Sequence, residues 1–392
     1  MTVEKSWIIP TESLHVATEL RFDIRDVNGQ VIQRAGTLID ERLKDYLRNR
    51  GIRSFTLYEE TQPDVEDSEF VLLSSFAAAS ISSIQASISA TRKSLQSFLE
   101  SLRNNDESHI ADLKVKVREF VTQATNDFAA TLAVIATQGQ ASASSIDARI
   151  ANHSLRMALL SIVMSVLQRD NPIVSCDIGL AGLLHDNSQL RHPEWFSVRL
   201  DARNESLRQK YRRHSIESAD LLKCIHGIST FVRTMITELH EQADGTGYPR
   251  GLPMERMMTG SLMLNLADAY FSLTDPIQGE PLVPSDALAY LCYHAAQGKF
   301  CVRAMQTLVE CLSMYPIGSI MLLDDHSKVV TVKGNPSTPL QPIVRSLLPG
   351  HLTIDLRQSD RQIAGPLDGN GFRGSGRIRK SQMLEILWRR DR

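Results

Sequence analysis

Cysteine is scarce in this chain and carries no pattern. The five cysteines, Cys176, Cys224, Cys292, Cys301 and Cys311, form no CxxC pair. An odd number without such a pair makes reduced thiols a simpler reading than a disulfide frame or a cysteine zinc knot. Charge of one sign is also missing. The formal net charge is -2 over 392 residues, so no global basic field argues for a nucleic acid polymer as partner. Long apolar runs are absent too. The start, MTVEKSWIIPTESL, lacks the apolar core of a signal peptide, and the most apolar parts, residues 70–84 and 129–136, are too short or too serine-rich to span a bilayer. The expectation is a cytoplasmic protein without a membrane span.

What is present is ordinary globular material, 42% hydrophobic and 22% charged, in a chain too long for one core. Residues 1–60 read as a small α/β module. Leu20, Phe22 and Ile24 alternate as in a strand, Asn28-Gly29 signals a hairpin, and Asp40 is placed to cap a helix that buries Leu43, Tyr46 and Leu47. Residues 61–146 read as a polar linker and a helical segment. Its apolar stripe, Ile110, Leu113, Val117, Phe120, Val121, Ala124 and Phe128, recurs at three and four. The stripe suits packing against the following domain, or alternatively a partner helix. Residues 147–335 are helical until a terminal strand–turn–strand around 319–332. Residues 336–392 read as a β or irregular extension ending in a basic tail, with seven Lys/Arg after residue 372, expected to be solvated. The fold class expected is mainly α.

The chemistry lies in the helical part. His153 precedes Met157, Leu160, Met164 and Leu167 at helical spacing, so it faces the core. His185 and Asp186 end a run, 178–184, that is apolar on every face. His214, His240 and Asp268 each share a face with apolar residues. One core histidine bonded to a backbone carbonyl is unremarkable physics, and His192, His226 and His294, which belong to no pattern, are read that way. Four histidines and two aspartates pointing inward from separate helices need a common partner, and a divalent cation satisfies them all. Imidazole with carboxylate suits iron, manganese, cobalt, nickel or zinc better than magnesium or calcium. Two such ions activate water and clamp a phosphate, which is the physical case for phosphodiester hydrolysis. The other readings are a non-catalytic binding domain and a purely structural one.

The strings HS (153–154), LLHD (183–186), HEQADGTGYP (240–249), LADAY (266–270) and YPIGS (315–319) resemble the HD-GYP branch of the HD metal-dependent phosphohydrolases. That resemblance implies an all-helical HD-type domain over 147–335. It implies a cyclic dinucleotide substrate, most often cyclic di-GMP opened to pGpG or GMP, and one or two divalent metals, iron or manganese first. The matched ligands are His153, His185, Asp186, His214, His240 and Asp268, with Asp186 bridging and the His185–Asp186 pair as the catalytic core. Asp244, Gly245, Gly247, Tyr248 and Pro249 match the signature loop, a site-shaping or partner-contacting element whose two glycines would allow positive φ. The departures are specific. Gln189 replaces a phosphate-holding lysine, Leu239 replaces a histidine ligand, Arg149 stands where a third-metal glutamate is found, Leu262 replaces an arginine, and 273–277 lacks an RPY string. The resemblance therefore implies either a phosphodiesterase with a thinned electrostatic clamp or a degenerate member acting as a cyclic-dinucleotide signalling adaptor.

Overall fold

The computed structural model describes residues 6–10, 24–25, 31–33, 40–50, 52, 54–58, 65–104, 110–138, 146–192, 205–276, 281–347 and 352–367. The chain divides into two compact units, residues 1–64 and 65–392.

In the first unit β1 (Ser6–Pro10), β2 (Ile24–Arg25), β3 (Val31–Gln33) and β4 (Ser54–Tyr58) form an antiparallel sheet in the order β1-β4-β2-β3, with α1 (Glu41–Asn49) between β3 and β4. The Asp40 side chain accepts the Leu43 N–H at 2.8 Å, which satisfies one of the orphan donors at the start of α1. Leu43 and Leu47 are buried. Tyr46 is exposed instead, under the Arg50 guanidinium. Leu20, Phe22 and the Asn28-Gly29 turn lie outside the described residues.

The second unit is mainly helical. It runs α2 (Val65–Leu73), α3 (Ala78–Asn104), α4 (Ile110–Asn126), α5 (Phe128–Thr137), α6 (Ile146–Leu167), α7 (Pro172–Leu184), α8 (Glu205–Tyr211), α9 (His214–Leu221), α10 (Thr230–Glu238), α11 (Thr259–Thr274), α12 (Pro284–Ala296) and α13 (Val302–Leu312). Strands β5 (Ile320–Leu323), β6 (Lys328–Lys333), β7 (Ile343–Ser346), β8 (Thr353–Asp355) and β9 (Ile363–Leu367) follow, in one antiparallel sheet ordered β8-β7-β6-β5-β9. The boundary expected at residue 335 falls between β6 and β7, which are hydrogen-bonded neighbours. The terminal hairpin is thus the middle of a larger sheet. The Arg345 side chain of β7 donates to the Val71 carbonyl and to Ser74 and Ser75, which ties that sheet to the end of α2. The basic tail lies outside the described residues.

Helix α4 packs on α3, α6 and α7, and its stripe Ile110, Leu113, Val117, Phe120, Val121 and Ala124 is buried. Phe128 belongs to the next helix, because the Asp127 side chain caps α5 there. Helix α6 is the centre of the unit. The stretch 147–167 is long and apolar enough to cross a membrane by those criteria alone, and most of it is buried among the other helices. Its contact with α7 is set by a glycine. A Cβ on Gly182 would stand 2.8 Å from the Ala158 Cα, so only glycine lets the two backbones approach this closely. Asn171 and Pro172 start α7 as cap and first residue. The close crossing brings the His153 and His185 rings to 5.8 Å between centroids.

Candidate metal centre

Each of the six inward-facing residues reaches one place. His153 comes from α6, His214 opens α9, His240 follows α10, and Asp268 sits on α11. Helix α7 ends at Leu184, His185 takes the C-cap, and Asp186 leaves the helical conformation with φ -104° and ψ 13°. That departure lets two sequence neighbours, which diverge along a helix, both face the centre.

The carboxylates span the histidines. Asp186 sets Oδ2 3.1 Å from His185 Nε2 and Oδ1 3.5 Å from His214 Nε2. Asp268 sets Oδ1 2.9 Å from His153 Nε2 and Oδ2 3.7 Å from His240 Nδ1. His153, His185 and Asp186 offer ligand atoms all within 4.8 Å of one another. The Nε2 atoms of His214 and His240 are 2.8 Å apart.

Backbone carbonyls select the tautomers. His185 Nδ1 lies 2.8 Å from the Gly182 carbonyl and His214 Nδ1 lies 2.6 Å from the Tyr211 carbonyl. A carbonyl only accepts, so both Nδ1 atoms carry hydrogen and both Nε2 atoms turn to the centre. Burial disfavours charge on His185, but the Asp186 carboxylate outweighs it and raises the pKa to about 9. Burial and then the His214 ring hold His240 down at about 3, and burial also lowers His214 against the pull of Asp186. Burial alone would raise the two aspartates. His185 overcomes that for Asp186, and the hydrogen bond from His153 does so for Asp268, so both sit below the usual carboxylate range. Converging imidazole nitrogens between two ionised carboxylates, with the His153 Nδ1 buried and without a hydrogen-bond partner, fit a divalent transition metal.

The departures take definite positions. The Gln189 side-chain amide donates to Asp186 Oδ1, the oxygen facing His214, and its own Oε1 is buried without a partner. Leu239 is buried in the apolar core, while its carbonyl accepts from Asn265 at 2.6 Å. Arg149 is exposed, and Leu262 packs against the core.

The signature loop is built by a residue that pattern reading passed over. Glu241 is fully buried, and its carboxylate accepts the backbone N–H groups of Arg250 at 2.7 Å and Leu252 at 2.9 Å. Glu238, one turn earlier, accepts from the Met258 N–H and the Ser261 hydroxyl and so anchors the start of α11. A charged residue beside a ligand and another one turn before it were the available signals. Asp244 closes a tight turn onto Thr246. Gly245 adopts positive φ, +77°. Gly247 does not; a Cβ there would stand 2.2 Å from the Gln242 nitrogen, so its requirement is space. Tyr248, joined to Pro249 by a cis peptide, donates its N–H to the His240 carbonyl and stacks on the His240 ring, centroids 4.9 Å apart and 22° between planes. Burial pushes its phenol well above the ordinary value. The three isolated histidines are not core residues. His226 is exposed, His192 lies 3.3 Å from Glu217, and His294 packs edge-on to Tyr290.

Residues 127–300 match the HD domain family. A cyclic di-GMP phosphodiesterase of Pseudomonas aeruginosa is 25% identical over 209 residues, 53% of this chain and 50% of the relative. Cyclic di-GMP phosphodiesterase PdeB of Borreliella burgdorferi is 23% identical, covering 60% of this chain and 61% of its own length. The 3′3′-cGAMP-specific phosphodiesterase 1 of Vibrio cholerae is 36% identical over a shorter stretch, 24% of this chain and 22% of the relative. The chain thus spans about half to three-fifths of the first two relatives. Among solved structures, an HDG"Y"P protein of Bdellovibrio bacteriovorus aligns with a TM-score of 0.49 and 18% identity, over 78% of this chain and 98% of that one.

Proposed function

Because residues 127–300 match the HD domain family, we propose that this chain is an HD-GYP-type metal-dependent phosphodiesterase that opens a cyclic dinucleotide, with cyclic di-GMP the first candidate. The observation that carries the reading is the pair of carboxylates, each reaching two histidines. His153, His185, Asp186, His214, His240 and Asp268 would hold the metal, one or two ions, with iron or manganese suited to this donor set. Such an ion supplies Lewis acidity toward a phosphoryl oxygen and the means to activate water. The names of the cyclic-dinucleotide phosphodiesterases in the comparison support the substrate class.

The chain's own residues supply the frame. Gly182 and Tyr211 hold two imidazoles in one tautomer through their carbonyls. Tyr248 covers His240 and keeps bulk water off one face of the centre. Asp186 and Asp268 remain ionised despite burial, so the centre keeps negative charge for a cation at neutral pH. Hydrolysis needs no nucleophilic side chain: water delivers its hydroxyl to phosphorus, and its proton ends on the released sugar oxygen.

A second reading rests on Gln189 and Leu239. A neutral amide occupies the oxygen by which Asp186 faces His214, and an apolar side chain stands where the resemblance implies a ligand. Both favour a signalling adaptor that keeps the fold and meets a protein partner through the 244–249 loop. The test is elemental analysis of full-length protein purified without chelator, followed by incubation with cyclic di-GMP. The phosphodiesterase reading expects about one equivalent of metal or more and the linear dinucleotide, both lost in Asp186→Asn. Metal without product, in protein that still binds cyclic di-GMP, supports the adaptor. Protein without metal removes the phosphodiesterase reading.

A further inference from the structure

At the two positions where the resemblance implies cations that hold phosphate, this chain has neutral or apolar side chains, Gln189 and Leu262. Other cations near the centre are committed. Arg156, three residues after His153, pairs with Asp275 and lies 4.5 Å over the Phe271 ring. Arg250 reaches toward the buried Glu238 carboxylate at 3.4 Å. Arg212 is different. Its guanidinium carbon stands 5.7 Å over the Tyr248 ring, and Tyr248 in turn stacks on His240. Among the described residues no carboxylate pairs with it.

This stack flanks the open side of the centre. The His240 and Asp268 side chains are 16% and 15% exposed, against 6% or less for His153, His185, Asp186 and His214. A ligand therefore enters past His240, beside Tyr248 and Arg212. An arginine stacked on an aromatic ring uses the face of its guanidinium and leaves the in-plane N–H groups free to grip an anion in bidentate fashion. We propose that Arg212 is the phosphate-holding residue of this centre: it binds non-bridging oxygens of the incoming phosphodiester from the Tyr248 platform and takes the place of the cations missing at 189 and 262. This assignment rests on the phosphodiesterase reading for its natural ligand, but its chemistry is that of phosphate recognition by any substrate of the site.

The test uses full-length protein loaded with manganese, as wild type, Arg212→Ala and Arg212→Lys. Two probes separate the two claims: cyclic di-GMP turnover, and calorimetric binding of inorganic phosphate. Loss of one charge-assisted bidentate contact is expected to raise the KM for cyclic di-GMP and the Kd for phosphate by about tenfold or more, with kcat within about twofold. Metal content should not change. Arg212→Lys keeps the charge without the fork and should fall between the two. If wild type turns over no cyclic di-GMP but phosphate binding still depends on Arg212, the assignment stands and the phosphodiesterase reading falls. Unchanged KM and phosphate affinity in Arg212→Ala overturn the assignment. So does wild-type protein that binds neither probe. Loss of metal together with phosphate in Arg212→Ala, with both restored in full by lysine, would make the residue a prop for Tyr248 and overturn it as well.

Discussion

His214 and His240 face each other through their Nε2 atoms at 2.8 Å, while His214 commits its Nδ1 hydrogen to the Tyr211 carbonyl. With that tautomer set, His214 presents a lone pair to a second imidazole nitrogen. Burial keeps both rings from protonating readily. A neutral His240 can meet that lone pair only by carrying its hydrogen on Nε2, whereas a cation between the rings would take both nitrogens as ligands.

Metal should therefore stabilise the fold. Titrating chelator-treated protein with manganese should raise the melting temperature, by an amount equivalent to about 3 kcal/mol at a hundredfold excess over Kd. Asp186→Asn removes a negative charge from the oxygen pair that reaches both histidine groups and should abolish most of that rise. Scanning fluorimetry with and without manganese reads both. A melting temperature indifferent to manganese would contradict the metal assignment of the whole cluster.

The metal-free protein should be most stable near neutrality. His240 has its folded pKa depressed to about 3 and His214 is depressed as well. Their neutral forms favour the native state above the unfolded histidine value of about 6.5, and that advantage is lost as pH falls below it. The lowered aspartates add to the loss in stronger acid. His185 runs the other way. Its raised pKa, about 9, contributes stability below 6.5 that disappears as pH climbs from there through 9. Urea midpoints in the presence of chelator at pH 5, 7 and 9 should peak in the middle. A midpoint rising steadily toward either end would show that these histidines do not titrate as a buried cluster.

The helical half was legible because its signals are local. Buried faces recur at three and four along α4 and α6, and each of the six polar residues brought together at the centre interrupts such a face. What escaped depends on chain returning from a distance. Glu241 closes the signature loop by accepting N–H groups nine and eleven residues away, and no periodicity encodes that. Strands β7, β8 and β9 are short and separated by turns, so the pairing of β7 with β6, of β8 with β7 and of β9 with β5 could not be read from alternation. The role of Gly247 is hidden for a related reason. Its constraint is the backbone of residues 241–242 pressed against it, whereas a glycine in a turn suggests positive φ first.

Leu239→His tests whether that position is still part of the centre. The leucine is 1% exposed and packs in the apolar core. An imidazole there loses apolar packing and buries a polar ring, at a cost of about 2–4 kcal/mol. The expected outcome is a lower urea midpoint in chelator and a manganese-induced gain no larger than that of wild type. A larger gain would mean that the new imidazole swings to the metal and that one substitution repairs the ligand set.

The two signature-loop glycines should separate cleanly when each is changed to alanine. Gly245 needs its left-handed backbone but has room, since the nearest atom to an added Cβ is the Gly251 carbonyl oxygen at 3.5 Å. Forcing alanine into that conformation costs about 1–2 kcal/mol. Gly247 lies outside the left-handed region and has no room. Its Cβ would fall 2.2 Å from the Gln242 nitrogen and 2.4 Å from the Glu241 Cα, both backbone atoms that cannot turn aside. Relief requires moving the segment that carries the buried Glu241 carboxylate and the His240 carbonyl that accepts the Tyr248 N–H. Gly247→Ala should therefore cost about 3 kcal/mol or more and weaken manganese binding, because the strain is relieved at the expense of His240. Gly245→Ala should lower the urea midpoint less and leave manganese affinity within about twofold. Parallel urea and manganese titrations decide it: if Gly245→Ala proves the costlier change, the loop is held by its turn and not by its contact with residues 241–242.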